Sequence, residues 1–515
     1  MEEDLPSIDT QIHCKPPGKS ALYWGRIVSL NDDESIDVEF GEGIGLKSLL
    51  PEVWKGCPRR GPPTEDSDDV AALEARARAV DEKLWPAWLE PDRSSANAAM
   101  HAVHVARFPQ PLPTVEEARK VGLFYSERAA AHTPMPPSAW NAISDESWTM
   151  ANRQKVIGCI LWNACACSKE RPERVRDTWE ELQAAGITDL CTLLPTGRRA
   201  TEEDLVRVHS ADHVREMMSL LEAPPAALLL AQLKANFVYF GPHTVECALL
   251  ASGGCLEAVD AVIAGNVQAA ACVVRPPGHH SCAGSAMGFC IFNNVAVAAA
   301  YAVQNHGLER VLIVDWDIHH GNGTQDIFYK DKRVMYFSVH RHDEGFFYPG
   351  TNPAVGADSG KAASVGEDEG AGFNINVAWS VTQELPVAQY PGNAEYASAW
   401  QRVLLPIARA YNPELVLISA GFDAAKGDPE GECQITPAGY AHLTNALMDL
   451  AGGRVILVLE GGYNVPSIKY GFGACVSSLL GAHAPKSEDF GMPSAPAERC
   501  VDKTVAALSP FWSDL

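Results

Sequence analysis

Five short runs of Val, Ile and Leu constrain the fold of this chain more than any other feature. Each run ends in polar or glycine residues, and the five segments read AACVVRPPG, RVLIVDWD, RVMYFSVH, ELVLISAGFD and RVILVLEGGYN. Helix-like stretches such as NNVAVAAAYAVQNHG and YAHLTNALMDLAGG lie between most of them. Near-continuous apolar strands that alternate with helices indicate a parallel sheet covered by helices on both faces. From about residue 152 onward, the sequence therefore predicts an α/β fold.

The composition excludes several classes of protein. With 46% apolar and 21% charged residues, the 515-residue chain has the make-up of a globular protein of two or three domains. Its net charge of −24 opposes nucleic-acid binding and favours cationic partners such as Lys-rich tails or polyamines, although an acidic surface also serves solubility alone. No apolar run is long enough to span a bilayer, and the acidic start MEEDLPSIDT is no signal peptide, so we expect no membrane association.

The cysteines bear on the cellular compartment. The chain has 14 of them, and they include no CxxC pair. This argues against a thiolate zinc site and against a disulfide framework, and it indicates a reducing compartment. We therefore expect the protein in the nucleus, the cytoplasm or both.

The chain divides into four parts by pattern. Residues 1–60 alternate in strand fashion and predict a small SH3-like or Tudor-type β-barrel, in which Trp24 and Phe40 either form an aromatic cage for methyl-lysine or belong to the core. Residues 61–151 are predicted to be a linker and a partly helical region, interrupted by the Pro-rich segments PQPLP and TPMPPS, with no assigned role. The α/β domain is predicted to span 152–485, followed by a C-terminal tail at 486–515.

Polar residues follow each predicted strand of the α/β domain. Because the carboxyl ends of parallel strands meet at one edge of a sheet, these segments should converge on one pocket. Asp317 and His319 are separated by one residue, so in extended backbone their side chains point the same way. Together with Asp423 they make an O,N,O set for a divalent metal, and we expect zinc with an open position for water.

Other residues in these segments can move protons and stabilise charge. The adjacent pair His279 and His280 can supply proton transfer, and Asp315 and Asn322 are natural orienting partners for those imidazoles. Tyr463 lies beside two glycines and can donate a hydrogen bond to a developing oxyanion. The combination predicts a metal-assisted hydrolase.

The motifs RPPGHHS, MGFCIFNN, VDWDIHHGNGTQ, SAGFDAAKGDP and LEGGYN resemble those of the zinc-dependent histone deacetylase family, class II, and are most similar to class IIb. The resemblance covers residues 152–485. It implies an arginase-like α/β fold with a central eight-stranded parallel sheet flanked by helices. It also implies hydrolysis of N-acetyl-lysine amides with zinc.

The resemblance also assigns roles to single residues. It implies that His280 is the general base and acid, with His279 as its electrostatic partner, and that Asp315 pairs with His279. Asn322 stands where class I enzymes have Asp, and Tyr463 matches active members rather than the weakly active class IIa proteins, which have His. The implied zinc ligands are Asp317, His319 and Asp423.

The resemblance further implies a substrate tunnel and a second cation. Phe289 and Tyr348 should form the tunnel walls, and Tyr348 replaces the usual Phe, which predicts a slightly more polar tunnel. A structural potassium ion would be held by the Ser338 side chain and by the backbone oxygens of Asp315, Asp317, His319 and Val339.

One departure from the family bears on the substrate. Most relatives read GDPLG after the last zinc ligand, whereas this chain reads GDPEG, which places Glu430 at the tunnel mouth. An acidic residue there resembles the polyamine-deacetylating member, but the pocket-narrowing insert of that member is not evident in ACACSKERPER. Glu430 can also turn to solvent or pair with Lys426.

Four functions are weighed. The leading hypothesis is a zinc-dependent deacetylase acting on N-acetyl-lysine of histones or other proteins such as tubulin, with roles in chromatin and transcription and a place in a corepressor complex. The second is an acetylpolyamine amidohydrolase. A non-catalytic chromatin scaffold is disfavoured because the proposed catalytic set is intact, and a dimanganese arginase-type hydrolase is disfavoured because DWDIHH lacks the carboxylates for a second metal.

Overall fold

The described part of the chain, in a computed structural model, forms two sheets. The structure describes residues 112–135, 169–350, 359–381 and 387–513, together with the backbone of five short strands among the first 60 residues. Those five pair antiparallel in the order β4-β3-β2-β1-β5. They are β1 Gln11–Cys14, β2 Tyr23–Leu30, β3 Ile36–Phe40, β4 Gly45–Leu49 and β5 Arg59–Arg60.

The predicted N-terminal β unit agrees with these five strands in position and in strand type. The predicted methyl-lysine cage depends on the side chains of Trp24 and Phe40, which lie outside the described part of the chain, and it stays a prediction.

The second sheet has eight strands in the order β11-β10-β9-β12-β13-β8-β6-β7, and every neighbouring pair is parallel. This confirms the predicted eight-stranded parallel sheet. Its strands are β6 Val121–Tyr125, β7 Thr192–Leu193, β8 Ala269–Val273, β9 Val311–Asp315, β10 Val334–Arg341, β11 Asn374–Trp379, β12 Leu415–Ala420 and β13 Val455–Leu459.

Both faces of this sheet are buried. Along β9, Leu312 and Val314 pack into one hydrophobic core, whereas Val311 and Ile313 pack into the other. This is the alternation that strand geometry dictates, and it explains why the strand reads as a continuous apolar run. The register of β9 with its neighbours places Asp315 beside Ser338 of β10 and Ser419 of β12, so the carboxyl ends of these strands are level.

Helices cover the two faces. They are α1 Glu173–Ala184, α2 Glu202–Leu205, α3 Ala211–Met218, α4 Pro225–Lys234, α5 Thr244–Ile263, α6 Asn294–His306, α7 Asn322–Phe328, α8 Asn393–Ala399, α9 Leu405–Tyr411, α10 Pro437–Leu447, α11 Val465–Leu480 and α12 Ala495–Leu508. Short 3₁₀ turns lie at Glu127–Ala131, Thr188–Leu190, Asp343–Gly345, Asp368–Gly370, Val387–Gln389, Ala451–Gly453 and Ser487–Phe490, and a π-helical turn at Trp400–Leu404 joins α8 to α9. Among the described helices, none combines the length and apolar character needed to cross a bilayer.

Helix α6 shows how the sequence sets these boundaries. The side chain of Asn293 accepts a hydrogen bond from the backbone N–H of Ala296 at 3.0 Å, which caps the start of the helix. Gly307 ends it with a left-handed φ of 71°, a conformation that costs glycine little. Between these caps the Ala- and Val-rich helix is mostly buried against the sheet.

The central sheet and its covering segments include residues outside the predicted span of 152–485. Strand β6 belongs to the central sheet, although it lies within residues 61–151, to which the sequence assigns no role. At the other end, the Thr504 hydroxyl of α12 donates to the Asn376 carbonyl at 2.8 Å, and Trp512 Nε1 donates to the Gly372 carbonyl at 2.7 Å. Residues predicted to be a tail therefore cover the edge strand β11. Strand β6 has five residues and lies between Pro-rich segments, so its pattern of apolar residues is too short to identify it from the sequence.

Candidate active site

Asp317, His319 and Asp423 converge at the carboxyl ends of β9 and β12. His319 Nδ1 lies 3.2 Å from Asp317 Oδ1 and 3.1 Å from Asp423 Oδ2. One potential ligand atom from each residue lies within 4.8 Å of the others, and all three residues are buried. The predicted O,N,O set is thus assembled in space.

Backbone groups hold the two carboxylates in place. Asp423 Oδ1 accepts the N–H of Ile318 at 2.8 Å, and Asp317 Oδ2 accepts the N–H of Gly461 at 2.8 Å. A side chain on Gly461 would bring its Cβ within 2.4 Å of Asp317 Oδ2 and of Asp423 Oδ2. The first glycine of LEGGYN is therefore required by the close approach of two carboxylates.

The charge of this cluster fits a divalent cation. Burial and the charge of Asp317 raise the pKa of Asp423 to about 6. Burial lowers the pKa of His319, but its hydrogen bonds to Asp317 and Asp423 outweigh this and raise it to about 10. The two buried carboxylates favour positive charge between them. A divalent cation bound by them and by neutral His319 would balance their negative charge. Three protein ligands leave a coordination position open.

His279 and His280 lie side by side next to this cluster with tilted rings, and each has its own partner. Their ring centroids are 4.1 Å apart. His279 Nδ1 lies 3.0 Å from Asp315 Oδ2, and His280 Nδ1 lies 2.8 Å from Asn322 Oδ1. The contact of Asp315 with His279 agrees with the sequence prediction, which named Asn322 as an orienting partner without assigning it to one of the two imidazoles.

The Asn322 amide fixes the tautomer of His280. Its Nδ2 donates to the carbonyl of His280 at 3.4 Å and to Cys282 Sγ at 3.2 Å, so its Oδ1 faces the ring. An amide oxygen only accepts, and Nδ1 of His280 must therefore carry the proton. This leaves Nε2 of neutral His280 free to accept a proton.

The two imidazoles have opposite pKa shifts. Burial alone would lower the pKa of His279. The negative charges of Asp317 and Asp315 outweigh burial and raise this pKa to about 10. Burial lowers the pKa of His280, and the positive charges of His279 and His319 lower it further. Neighbouring groups with pKa values driven apart are typical of acid–base sites.

Tyr463 lies at the edge of the same pocket. Its ring centroid is 6.4 Å from that of His319. Its backbone N–H donates to Asp428 Oδ2 at 2.7 Å, which fixes the loop that carries it. Burial and the charges of Asp423 and Asp317 raise the pKa of the Tyr463 phenol well above its usual value, so the hydroxyl keeps its proton and can donate.

Comparison with known proteins assigns the chain to a family. The family model described as the histone deacetylase domain matches residues 168–479, which is more than half of the chain. The chain belongs to the class II histone deacetylase family. The resemblance predicted from the sequence motifs is confirmed.

The relatives include proteins with different named activities. Polyamine deacetylase HDAC10 of Homo sapiens is 43% identical over 356 residues, which cover 69% of this chain and 51% of that protein. Histone deacetylase 5 of Arabidopsis thaliana is 39% identical over 379 residues, which cover 71% of this chain and 55% of that protein. The chain thus spans about half the length of the curated relatives it matches. The structure titled "Crystal Structure of HDA15 HD domain" matches with a TM-score of 0.61 and 35% identity over 77% of this chain and 96% of that one.

Aromatic rings surround the site of this deacetylase-family chain. Phe289 faces Tyr463 with centroids 6.1 Å apart, and Tyr348 packs edge-on against His280 at 5.1 Å. Phe347, which the sequence analysis did not single out, stacks on His319 at 5.0 Å. The Tyr348 hydroxyl is buried without a hydrogen-bond partner among the described residues. It adds an available polar group next to the acid–base pair, and the role of Tyr348 as a tunnel wall stays a prediction.

Glu430 has a partner that the sequence analysis did not foresee. Its Oε1 lies 2.5 Å from Lys169 Nζ. The expected alternatives were solvent or Lys426, and neither describes this ion pair. Lys169 precedes Glu430 by more than 250 positions in the chain, so sequence spacing gave no indication of the contact.

A second group of residues missed by sequence reasoning supports the loop before Tyr463. Glu460 is fully buried and accepts the N–H groups of Gly278 and His279 at 2.6 and 3.2 Å. Burial raises its pKa to about 7. Tyr336 donates to Asp315 Oδ2 at 2.9 Å and completes the environment of the carboxylate that orients His279. The Glu of LEGGYN was the available signal for Glu460, since an acidic residue directly after a buried strand needs a partner.

Behind this loop lies a buried ion cluster of Glu170, Arg174 and Arg275. Glu170 Oε1 accepts Arg275 Nε at 2.6 Å and Arg174 Nη1 at 2.9 Å, and all three side chains are inaccessible to solvent. Arg174 Nε also donates to the Gly462 carbonyl at 2.6 Å. The cluster therefore fixes the backbone immediately before Tyr463. The i, i+4 spacing of Glu170 and Arg174 in ERPER was a signal for the pair.

Replacing Glu170 by glutamine should lower the free energy of unfolding by about 3–5 kcal/mol at neutral pH, because two buried guanidinium groups lose their counter-charge. Burial raises the pKa of Glu170, but Arg275 and its neighbours outweigh it and lower it from 4.5 to about 2. Because its pKa is lowered in the folded state, ionised Glu170 stabilises the fold above about pH 4.5. This stabilisation is lost as the pH falls toward 2. Urea unfolding of wild type and Glu170→Gln across this pH range should show that the difference between their free energies of unfolding becomes smaller in acid.

The exposed carboxylate Glu203 provides a matched control, since its side chain is 86% exposed and its charge is screened. Glu203→Gln should unfold like the wild type. Equal stability of Glu170→Gln and wild type at pH 7 would contradict the ion-cluster account.

Proposed function

We propose that this chain is a zinc-dependent deacetylase that hydrolyses N-acetyl-lysine on histones or other proteins such as tubulin. The observation that carries the proposal is the convergence of Asp317, His319 and Asp423 within 4.8 Å, beside the paired imidazoles. Membership of the histone deacetylase family supports the same chemistry.

Zinc is the proposed metal, and Asp317, His319 and Asp423 are its proposed ligands. Two carboxylates and one imidazole without a cysteine are a ligand set that zinc accepts, and three ligands are typical of its catalytic sites. When bound, the ion supplies Lewis acidity that polarises the acetyl carbonyl and makes water a better nucleophile.

The chain's own residues handle the proton. Nε2 of His280 takes a proton from the attacking water and later passes it to the amine of the departing lysine, so that acetate and a free lysine are the products. The Asn322 amide keeps Nδ1 of His280 protonated and its ring in place, at 2.8 Å. Charged His279, paired with Asp315 at 3.0 Å, holds the pKa of His280 low, so that His280 starts the reaction neutral.

The remaining residues bind the substrate and stabilise the reacting group. The Tyr463 hydroxyl donates a hydrogen bond to the oxyanion that forms from the acetyl carbonyl. Phe289 and Tyr348 are the proposed walls of the acyl-lysine tunnel, and they exclude water from the alkyl stem.

A second candidate, an acetylpolyamine amidohydrolase, has one observation in its favour. Glu430 is an acidic residue in the position where charge would select a polyamine, and some of the relatives are named polyamine deacetylase. The ion pair of Glu430 with Lys169 weakens this charge selection. We therefore rank protein deacetylation first.

Several finer proposals rest on the family resemblance. A structural potassium ion held by the Ser338 side chain and by backbone oxygens of the β9 end is one of them. Action in the nucleus or the cytoplasm, in chromatin and transcription regulation within a corepressor complex, is another. The net charge of −24 supports cationic partners such as histone tails over nucleic acid.

The test is parallel turnover of an acetyl-histone peptide, acetylated tubulin and N8-acetylspermidine by the purified chain. We expect acetate release from the acetyl-lysine substrates with higher kcat/KM than from the polyamine. His280→Ala serves as the inactive control, with a loss of about 10²–10⁴ in rate. Activity on the polyamine alone would favour the second candidate, and no acetate release from any substrate would overturn the proposal.

A further inference from the structure

Lys169 and Glu430 form an ion pair between two segments that are each linked to Tyr463 of the candidate active site. Lys169 Nζ lies 2.5 Å from Glu430 Oε1, and each side chain is 30% exposed. Both are therefore accessible from solvent but partly desolvated, which strengthens their attraction relative to a fully exposed pair.

Glu430 is anchored to the loop that carries Tyr463. Its backbone N–H donates to Asp428 Oδ1 at 2.9 Å, and Asp428 Oδ2 accepts the N–H of Tyr463 at 2.7 Å. One buried carboxylate thus binds both segments, and Glu430 cannot move away from the pocket without breaking this link.

Lys169 is anchored from the opposite side. It directly precedes Glu170, whose carbonyl accepts Arg275 Nη2 at 3.0 Å and whose carboxylate binds Arg174. Arg174 in turn lies 5.6 Å from the centroid of the Tyr463 ring. The backbone at Lys169 is therefore held beside the pocket by the buried ion cluster.

We propose that Lys169 is a specificity-determining residue that neutralises Glu430 and so disfavours acyl substrates with a cation near the scissile amide, such as acetylated polyamines. The proposal rests on the proposed function, because it names which substrate class the deacetylase site prefers. Glu430 would attract a substrate cation if it were alone. With Lys169 in contact, that cation must displace the ammonium group already present, and it also meets a like charge.

The proposal is tested with four variants: Lys169→Met, Glu430→Leu, the double variant, and Lys426→Met as a matched control. Methionine keeps most of the lysine stem and removes its charge. Lys426 lies on the loop of Glu430, but its exposed side chain does not take part in the Lys169–Glu430 ion pair. The measured quantity is the ratio of kcat/KM for N8-acetylspermidine to kcat/KM for a neutral acetyl-lysine peptide.

Lys169→Met should raise this ratio by about threefold to fivefold, the range that a partly exposed ion pair supports. Glu430→Leu should lower it, because the charge of Lys169 then stands alone. Lys169→Met should have a smaller effect in the Glu430→Leu background, and Lys426→Met should leave the ratio as in wild type. An unchanged ratio in Lys169→Met would overturn the proposal, and so would an equal effect with and without Glu430.

Binding of spermidine separates this proposal from the proposed function. Calorimetry requires no turnover, and Lys169→Met should bind spermidine about threefold to fivefold more tightly than wild type. If the chain releases no acetate from any substrate, the proposed function fails, but this difference in spermidine binding still decides the role of Lys169. Equal spermidine affinity in wild type and Lys169→Met would overturn the proposed role of Lys169.

Discussion

Replacing Asp423 by alanine should abolish both zinc binding and deacetylation. The two carboxylates and His319 form one cluster within 4.8 Å, so removing one ligand leaves too few groups to hold the ion. Replacing a residue that hydrogen-bonds to a metal ligand typically lowers metal affinity or activity by about 10–100-fold. Replacing the ligand itself should therefore lower kcat/KM by at least about 10³-fold. Zinc content after dialysis and acetate release from an acetyl-lysine peptide measure the two effects.

Asp423 also accepts the N–H of Ile318, so alanine removes a structural contact as well. Asp423→Asn keeps an oxygen for that contact and should still lose zinc and activity. Asp212→Ala, at a carboxylate that is 91% exposed, should retain both. Full activity of either Asp423 variant without metal would contradict the assigned ligand set.

Tyr463→Phe should lower kcat by about 10²–10³ with little change in KM. The lost hydroxyl is proposed to donate to the oxyanion, a contact made in the transition state and worth about 3–4 kcal/mol. The phenylalanine ring preserves the packing against Phe289, whose centroid lies 6.1 Å from that of Tyr463. Steady-state kinetics on an acetyl-lysine peptide separate the two parameters.

The control for this substitution is Tyr125→Phe. Tyr125 lies on β6, where it stacks on Trp179 at 4.6 Å, and its hydroxyl has no role in the proposed chemistry. It should leave kcat close to wild type. A change in KM alone for Tyr463→Phe would assign that residue to substrate binding instead of transition-state stabilisation.

The sequence predicted the core of the site because that chemistry lies in contiguous motifs at strand ends. Asp317 and His319 follow one buried strand, and the parallel sheet brings Asp423 from the next strand into contact with them. Asn322 was predicted as an orienting partner for the imidazoles, and its contact of 2.8 Å with His280 fits that prediction. Each prediction needed only the strand pattern and a local motif.

The parts that the sequence did not predict depend on contacts between distant segments. Glu430 and Lys169 meet only because the fold brings two distant segments together, and Lys426 was the nearer candidate along the chain. Strand β6 and helix α12 were missed because their patterns are short or amphipathic and lack polar motifs, while their burial depends on neighbours far away in sequence. Local periodicity carries no information on such pairings.

The central claim is tested most directly by stripping the wild-type chain of metal with a chelator and titrating zinc back while acetate release from an acetyl-lysine peptide is measured. One buried cluster of three ligand residues was found among the described residues. We therefore predict no activity in the stripped chain and a linear recovery that saturates at one zinc per chain. Activity that survives complete removal of the metal, or a chain with one bound zinc that releases no acetate, would contradict the account.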